Sequence, residues 1–219
     1  MASSRVSYVA AVIFICLSVS VSPRMLVKDA PEIYPFDFFS RHDWGAEPAT
    51  DKRPLNLPVP YVIIHHTYLP AACYTLKQCA SDMRSMQKSH NSLGWGDIGY
   101  NFCVGSEGGA FEGRGWDTVG IHAGAANNHS IGICVIGDWR VQLPPRNQLK
   151  TVQNLIRAGV MLGKIKEDYK LIGHRQVMAT ECPGNALLAE ISTWDNYDHG
   201  TPDFNVLTSI TRENIDAQD

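Results

Sequence analysis

The 219-residue sequence carries no surplus of positive charge: 19 lysines and arginines stand against 22 aspartates and glutamates, for a formal net charge of −3. Without that surplus a general nucleic-acid binder is disfavoured, because nothing awaits the phosphates. Charged residues are sparse, at 19% beside 44% apolar. A disordered chain has the opposite bias, so a packed core is expected, and the length suits one domain. No internal repeat or low-complexity tract occurs. The His-Glu-x-x-His signature of an ordinary zinc endopeptidase is missing, as are a Gly-x-Ser-x-Gly elbow and a phosphate-cradling glycine loop.

Long apolar runs are also lacking, with one exception. Val6–Val21 (VSYVAAVIFICLSVSV) carries no charge and follows Arg5. A basic start, a short apolar run and then small residues read as a secretory signal, cleaved after Ser18-Val-Ser20 or Ser20-Val-Ser22. The run is short for a bilayer span. The expectation is a signal region over residues 1–22, a secreted protein, and no stable membrane insertion after cleavage. A Pro-rich lead-in occupies 23–39, one domain occupies 40–197, and a polar acidic tail over 198–219 is expected to stay largely unpacked.

Cleavage would remove Cys16 and leave five cysteines, an odd number. Cys73 and Cys79 bracket a short loop and are expected to pair in an oxidising compartment. Cys103 and Cys134 lie in apolar strand-like runs and read as buried thiols. Cys182 is left over in a Pro-Gly loop.

Tyr61–Ile64 and Ile131–Ile136 read as buried strands, and Lys170–Gly173 as another short one. Between Leu76 and His90, Cys79, Met83, Met86 and His90 recur at one helix face. Tyr100–Gly105 and Ala110–Arg114 flank Ser106–Gly109 as a hairpin. A second helix is expected from an Asn147 N-cap to Gly163, and Asn185 opens a last one carrying Leu188, Ile191 and Trp194. Strands alternating with helices predict an α/β domain, with active residues at strand ends.

Two strand ends carry histidines: His65-His66, and His174 with Cys182 eight residues on. Two imidazoles and a thiolate would supply three zinc ligands and leave a fourth position for water. Successive strand side chains point to opposite faces, so His65 and His66 do not both reach one metal easily. A Cys–His nucleophile pair is the alternative, but it leaves His65 unexplained. Asn128-His-Ser130 is a glycosylation sequon.

Five stretches then stand in a telling order: VIIHHTY (Val62–Tyr68), GWGDIGYNF (Gly94–Phe102), FEGRGWDTVGIHAG (Phe111–Gly124), SIGICVIGDW (Ser130–Trp139) and GHRQVMATECPG (Gly173–Gly184). With Ser40–Ala46 they span about 155 of 219 positions, and together they resemble the peptidoglycan recognition proteins in their short, secreted, catalytic form. The resemblance implies the phage-type amidase fold, a single α/β domain with a central mixed sheet flanked by helices. It implies a zinc N-acetylmuramoyl-L-alanine amidase, cutting between the lactyl group of N-acetylmuramic acid and L-alanine of the stem peptide. The metal ligands would be His65, His174 and Cys182, with Tyr100 catalytic and Thr180 beside the metal.

The same resemblance places His66, Thr67, His90 and His122 against the stem peptide or sugar. Gly94, Trp95 and Arg114 fall where diaminopimelate-type and lysine-type binders differ, and match the diaminopimelate type. Arg114 suits its extra carboxylate, since a guanidinium donates two parallel hydrogen bonds. His90 has a second reading, as a helix-terminal imidazole facing the negative end of the helix. The implied partners are bacterial peptidoglycan or its muropeptides. A non-catalytic receptor on the same fold is the competing expectation. The complete ligand set weighs against it.

Overall fold

The structure is a computed structural model that describes residues 33–204. One mixed six-stranded sheet organises it: β1 (Phe38–Phe39), β2 (Val59–His66), β3 (Phe102–Val104), β4 (Ala110–Glu112), β5 (Ser130–Val135) and β6 (Ile165–Gly173), in the spatial order β1-β4-β3-β5-β2-β6. All pairings are parallel except the β3–β4 hairpin. The helices are α1 (Arg41–Trp44), α2 (Leu76–Ser92), α3 (Arg146–Met161) and α4 (Asn185–Ile191). Thr75 caps α2, its side chain accepting from Gln78 N–H at 3.3 Å.

All six β5 residues are buried, as are Val62–His66 of β2. Strands covered on both faces need continuous apolar runs rather than alternation, and these two have them. Alternate residues serve alternate layers. Val62, Ile64, Ile131, Ile133 and Val135 pack with Val152, Leu155 and Ile156 of α3. Trp44, Phe111, Ile136 and the Met83–Met86 face of α2 form a second apolar cluster. Among the described residues no helix is long and apolar enough to cross a membrane.

Several boundaries depart from expectation. The lead-in carries β1, whose residues pair with Ala110 and Phe111, and Tyr34, Phe36 and Phe38 pack against the main core. At the other end Phe204 is 4% exposed and packs with Ile63 and Ile172, so the tail is not wholly unpacked. Residues 1–32 and 205–219, with the signal region and most of the tail, lie outside the described residues. Helix α3 starts at Arg146 with Pro145 at the cap position, while Asn147 donates its amide to Ser106 O instead. Trp194 lies beyond the end of α4.

The cysteine reading is half right. Cys73 and Cys79 are bonded as expected. Cys103 and Cys134 also form a disulfide and are not thiols. They are direct partners in the parallel register of β3 and β5, which brings their Cα atoms to 4.4 Å. Cys182 is the free cysteine among the described residues.

Candidate metal centre

Parallel pairing builds the centre. The register sets Ile64 of β2 beside Gly173 of β6, so the next residues, His65 and His174, leave the same sheet edge together. Their rings stand 4.4 Å apart between centroids. The chain after His174 turns back, with Arg175 N–H donating to Cys182 O at 2.9 Å and Cys182 N–H donating to Thr180 Oγ1 at 3.2 Å. Gly173 leaves room for that close return. A Cβ there would stand 2.6 Å from Leu188 Cδ1 and 3.1 Å from Pro183 Cδ.

The three donor atoms of His65, His174 and Cys182 lie within 4.8 Å of one another. His65 Nδ1 is 3.7 Å from Cys182 Sγ. Tetrahedral zinc, with its usual bond lengths, would set a nitrogen and a sulfur about 3.6 Å apart. His174 Nε2 is buried and has no hydrogen-bond partner among the described residues, as a lone pair reserved for a cation would be. Burial, reinforced by the neighbouring His66, holds His174 down at about 4. Burial, then His122 and His174, hold His65 well below its ordinary value. Both rings are therefore neutral at neutral pH, the form in which an imidazole can ligate a metal. Burial pushes the Cys182 thiol up to about 12. A divalent cation would supply the charge that a thiolate needs there. The donor set fits zinc. A second group, Cys73, Cys79 and Glu107, has both sulfurs in a disulfide.

His66, the next residue of the strand, is not among the three converging donors, as strand alternation predicts. Its Nδ1 accepts from Trp139 N–H at 3.2 Å, and its backbone N–H donates to Cys182 Sγ at 3.3 Å. A cavity of about 480 Å³ opens over the centre, lined by His66, Thr67, Tyr100, His174, Thr180 and Cys182, with Tyr68, Arg140 and Glu181 at its walls. A second, of about 340 Å³, shares Thr67 and Tyr100 and includes Ser85, Ser89 and His90. The two cavities adjoin at those shared side chains. Thr67 Oγ1 donates to Pro70 O at 2.7 Å and accepts from Gly137 N–H at 2.8 Å. Tyr100 places its ring 5.2 Å from His65, and burial, with Cys182 adding, raises its phenol above the ordinary value. Thr180 is exposed.

His90 stacks on Trp95 at 4.6 Å, and its Nδ1 accepts from Gly99 N–H. Burial, with Arg114 adding, lowers it to about 4. It stands in the last turn of α2, as the helix-terminal reading expects, but as a neutral imidazole. Gly94 follows the helix at φ 79° with open space around it. Arg114 is 7% exposed, and its guanidinium already donates to Ile98 O, Trp95 O, Asp51 O and Val119 O. It ties the Trp95–Ile98 loop to the backbone at Asp51 and Val119. His122 is not brought to the groove lining. It is buried, with Nδ1 3.0 Å from His65 Nε2.

Sequence reasoning missed the wall formed by Tyr68, Asp138 and Arg140. Arg140 pairs with Asp138 and lies 4.5 Å over the Tyr68 ring. Asp138 and Arg140 sit just past the end of β5, the same strand-end position that singles out the histidines.

The buried imidazoles make the metal-free protein acid-sensitive. Unfolded histidines take protons near 6.5, whereas His90 and His174 wait until about 4 and His122 until about 3. The unfolded state therefore binds protons first, and stability is lost as pH falls from about 6.5 toward 4. Urea midpoints of the chelated protein should drop steadily over that interval. A flat midpoint would contradict the neutral-ligand assignment.

A family model described as N-acetylmuramoyl-L-alanine amidase matches residues 55–185, and the chain belongs to that family. Within it, the chain is 50% identical over 161 residues to Peptidoglycan-recognition protein LB of Drosophila melanogaster, covering 73% of this chain and 69% of that protein. The solved wild-type structure of the Drosophila protein superimposes with a TM-score of 0.73 at 49% identity, over 74% of this chain and 96% of that one. The N-acetylmuramoyl-L-alanine amidase of Homo sapiens is 42% identical over 171 residues, which cover 76% of this chain but only 29% of the human protein. Peptidoglycan recognition protein-LE, solved in complex with tracheal cytotoxin, a monomeric diaminopimelic acid-type peptidoglycan, matches at a TM-score of 0.72 and 42% identity, over 74% of this chain and 95% of that one.

Proposed function

We propose that the protein is a secreted, zinc-dependent N-acetylmuramoyl-L-alanine amidase acting on diaminopimelate-type peptidoglycan. The observation that carries this reading is the convergence of His65, His174 and Cys182 at the head of an open groove. Zinc held by these three would activate water and polarise the scissile carbonyl. Hydrolysis adds the hydroxyl of water to the lactyl carbonyl carbon, breaks that carbon's bond to nitrogen and gives the remaining proton to the nitrogen, which leaves as the free amino terminus of L-alanine in the stem peptide.

The chain's own groups do the rest. Tyr100 stays protonated and presents a hydroxyl donor where charge develops on the carbonyl oxygen. Thr180 accepts from Cys182 N–H, which leaves its own O–H free to donate. Trp139 N–H occupies Nδ1 of His66, so a neutral His66 carries its proton on Nε2. The stem peptide runs into the arm bounded by His90. Two disulfides favour an oxidising compartment, consistent with export. Cleavage would destroy muropeptides of the kind held by recognition protein-LE, and so damp an innate immune signal.

Digestion of diaminopimelate-type peptidoglycan tests the reading. Stem peptides beginning with L-alanine should appear, and a chelator should stop their release. Reducing sugar ends instead would mean a glycosidase, and no products would mean a receptor. Arg114 reports substrate class. Arg114→Ala should remove the preference for diaminopimelate-type over lysine-type wall, and should also lower the melting temperature, because four backbone carbonyls lose a donor. An unchanged preference would leave Arg114 a purely structural tie.

A further inference from the structure

His122 supports a ligand from behind. Its Nδ1 lies 3.0 Å from His65 Nε2, with the two rings nearly perpendicular at 85°. The other nitrogen of His65, Nδ1, faces Cys182 Sγ. A nitrogen that gives its lone pair to a cation carries no proton, so a neutral His65 must carry its hydrogen on Nε2. The proton in the 3.0 Å contact therefore belongs to His65, and His122 Nδ1 accepts it.

The surroundings hold this acceptor in place. A Cβ at Gly120 would stand 2.4 Å from His122 Cδ2, and one at Gly132 would stand 2.5 Å from the same atom. Only glycine at both positions leaves a slot for the ring. Asn127 Oδ1 accepts from the backbone N–H groups of His122 and Ala123 at 3.0 and 2.7 Å. Asn101 Oδ1 in turn accepts from Gly132 N–H at 2.9 Å and fixes that wall of the slot. His122 Nε2 is buried without a partner among the described residues, an arrangement that costs stability on its own. The contact of Nδ1 with His65 is what the ring gains in exchange.

We propose that His122 is a positioning residue for the metal centre, selecting the Nε2–H tautomer and the ring orientation of His65 that turn Nδ1 toward His174 and Cys182. This rests on the zinc reading, which places the hydrogen of His65 on Nε2; His122 is inferred to hold the same tautomer when no ion is bound. Partners of this kind behind a metal-bound histidine typically contribute about 10–100-fold to affinity.

Three variants separate acceptor from filler. In His122→Asn an amide oxygen can stand near the Nδ1 position. His122→Gln carries its oxygen further out, and His122→Leu has none. Long-range proton–nitrogen NMR of the metal-free proteins should show one His65 tautomer, protonated on Nε2, in wild type and His122→Asn, and a mixture in His122→Leu and His122→Gln. Zinc dissociation constants, from competition with a chromophoric chelator, should rise about 10–100-fold for Leu and Gln and only a few-fold for Asn. Urea midpoints of the metal-free variants report whether each folds, and the Gln–Asn pair decides the matter if Leu does not. An unchanged tautomer in Leu or Gln overturns the proposal, as does Asn as weak as Gln. If wild type binds no zinc at all, the zinc reading fails, while the tautomer measurement still decides the role of His122.

Discussion

Cys182→Ala should abolish amide release and zinc binding together, each by about three orders of magnitude, which corresponds to about 4 kcal/mol. Of the three donors only Cys182 can bring a negative charge, and the two imidazoles beside it are neutral. Removing it takes away both a bond and the charge that balances the ion. The fold should survive. Cys182 sits in a loop shaped by backbone bonds, Arg175 N–H to Cys182 O and Cys182 N–H to Thr180 Oγ1, that alanine retains. What alanine removes is the sulfur's hydrogen bonding to the backbone of His66. Melting of the chelated variant should therefore match chelated wild type, while added zinc stabilises only the wild type. Full-rate release by Cys182→Ala, or by chelated wild type, would remove the metal from the chemistry.

The residues of this centre are legible in the sequence, but their meeting is not. β2 and β5 announce themselves as short β-branched runs, because burial on both faces demands them. β6 is longer than its apolar part. Its first half, Ile165–Lys170, is largely exposed, so the pattern marks only the end that leads to His174. β1 has no local signal. Two phenylalanines in a Pro-rich stretch become a strand only because β4 is there to pair with. Likewise nothing near Cys103 or Cys134 predicts a bond between strands 31 positions apart, since the register is a property of the assembled sheet. His122 shows the same limit at the site. Its place after a glycine-rich segment suggests a cleft, but Gly120 and Gly132 are spaces cut for its ring, and they turn it inward against His65.

Tyr100→Phe should lower the hydrolytic rate by about 10²–10³ while leaving zinc affinity intact. That is the size of effect seen when one donor to a developing oxyanion is removed. The substitution deletes one oxygen and keeps the ring, so the contacts with His65 at 5.2 Å and with His90 at 5.7 Å persist. Tyr100 is not among the three donors that converge, so the metal should bind as before. Burial raises the phenol, with Cys182 adding, so the hydroxyl remains a donor throughout the neutral range and imposes no alkaline limb below its ordinary value near 10. The loss should fall on kcat more than on KM, because the hydrogen bond strengthens only as charge builds on oxygen. Thr180→Val gives the comparison. Thr180 is exposed, and a donor in contact with water exchanges one hydrogen bond for another, so its removal should cost about tenfold or less. A Tyr100→Phe variant that keeps the full rate would move the oxyanion donor to the other side of the cavity, where His66 Nε2–H and the Thr180 hydroxyl are the remaining groups.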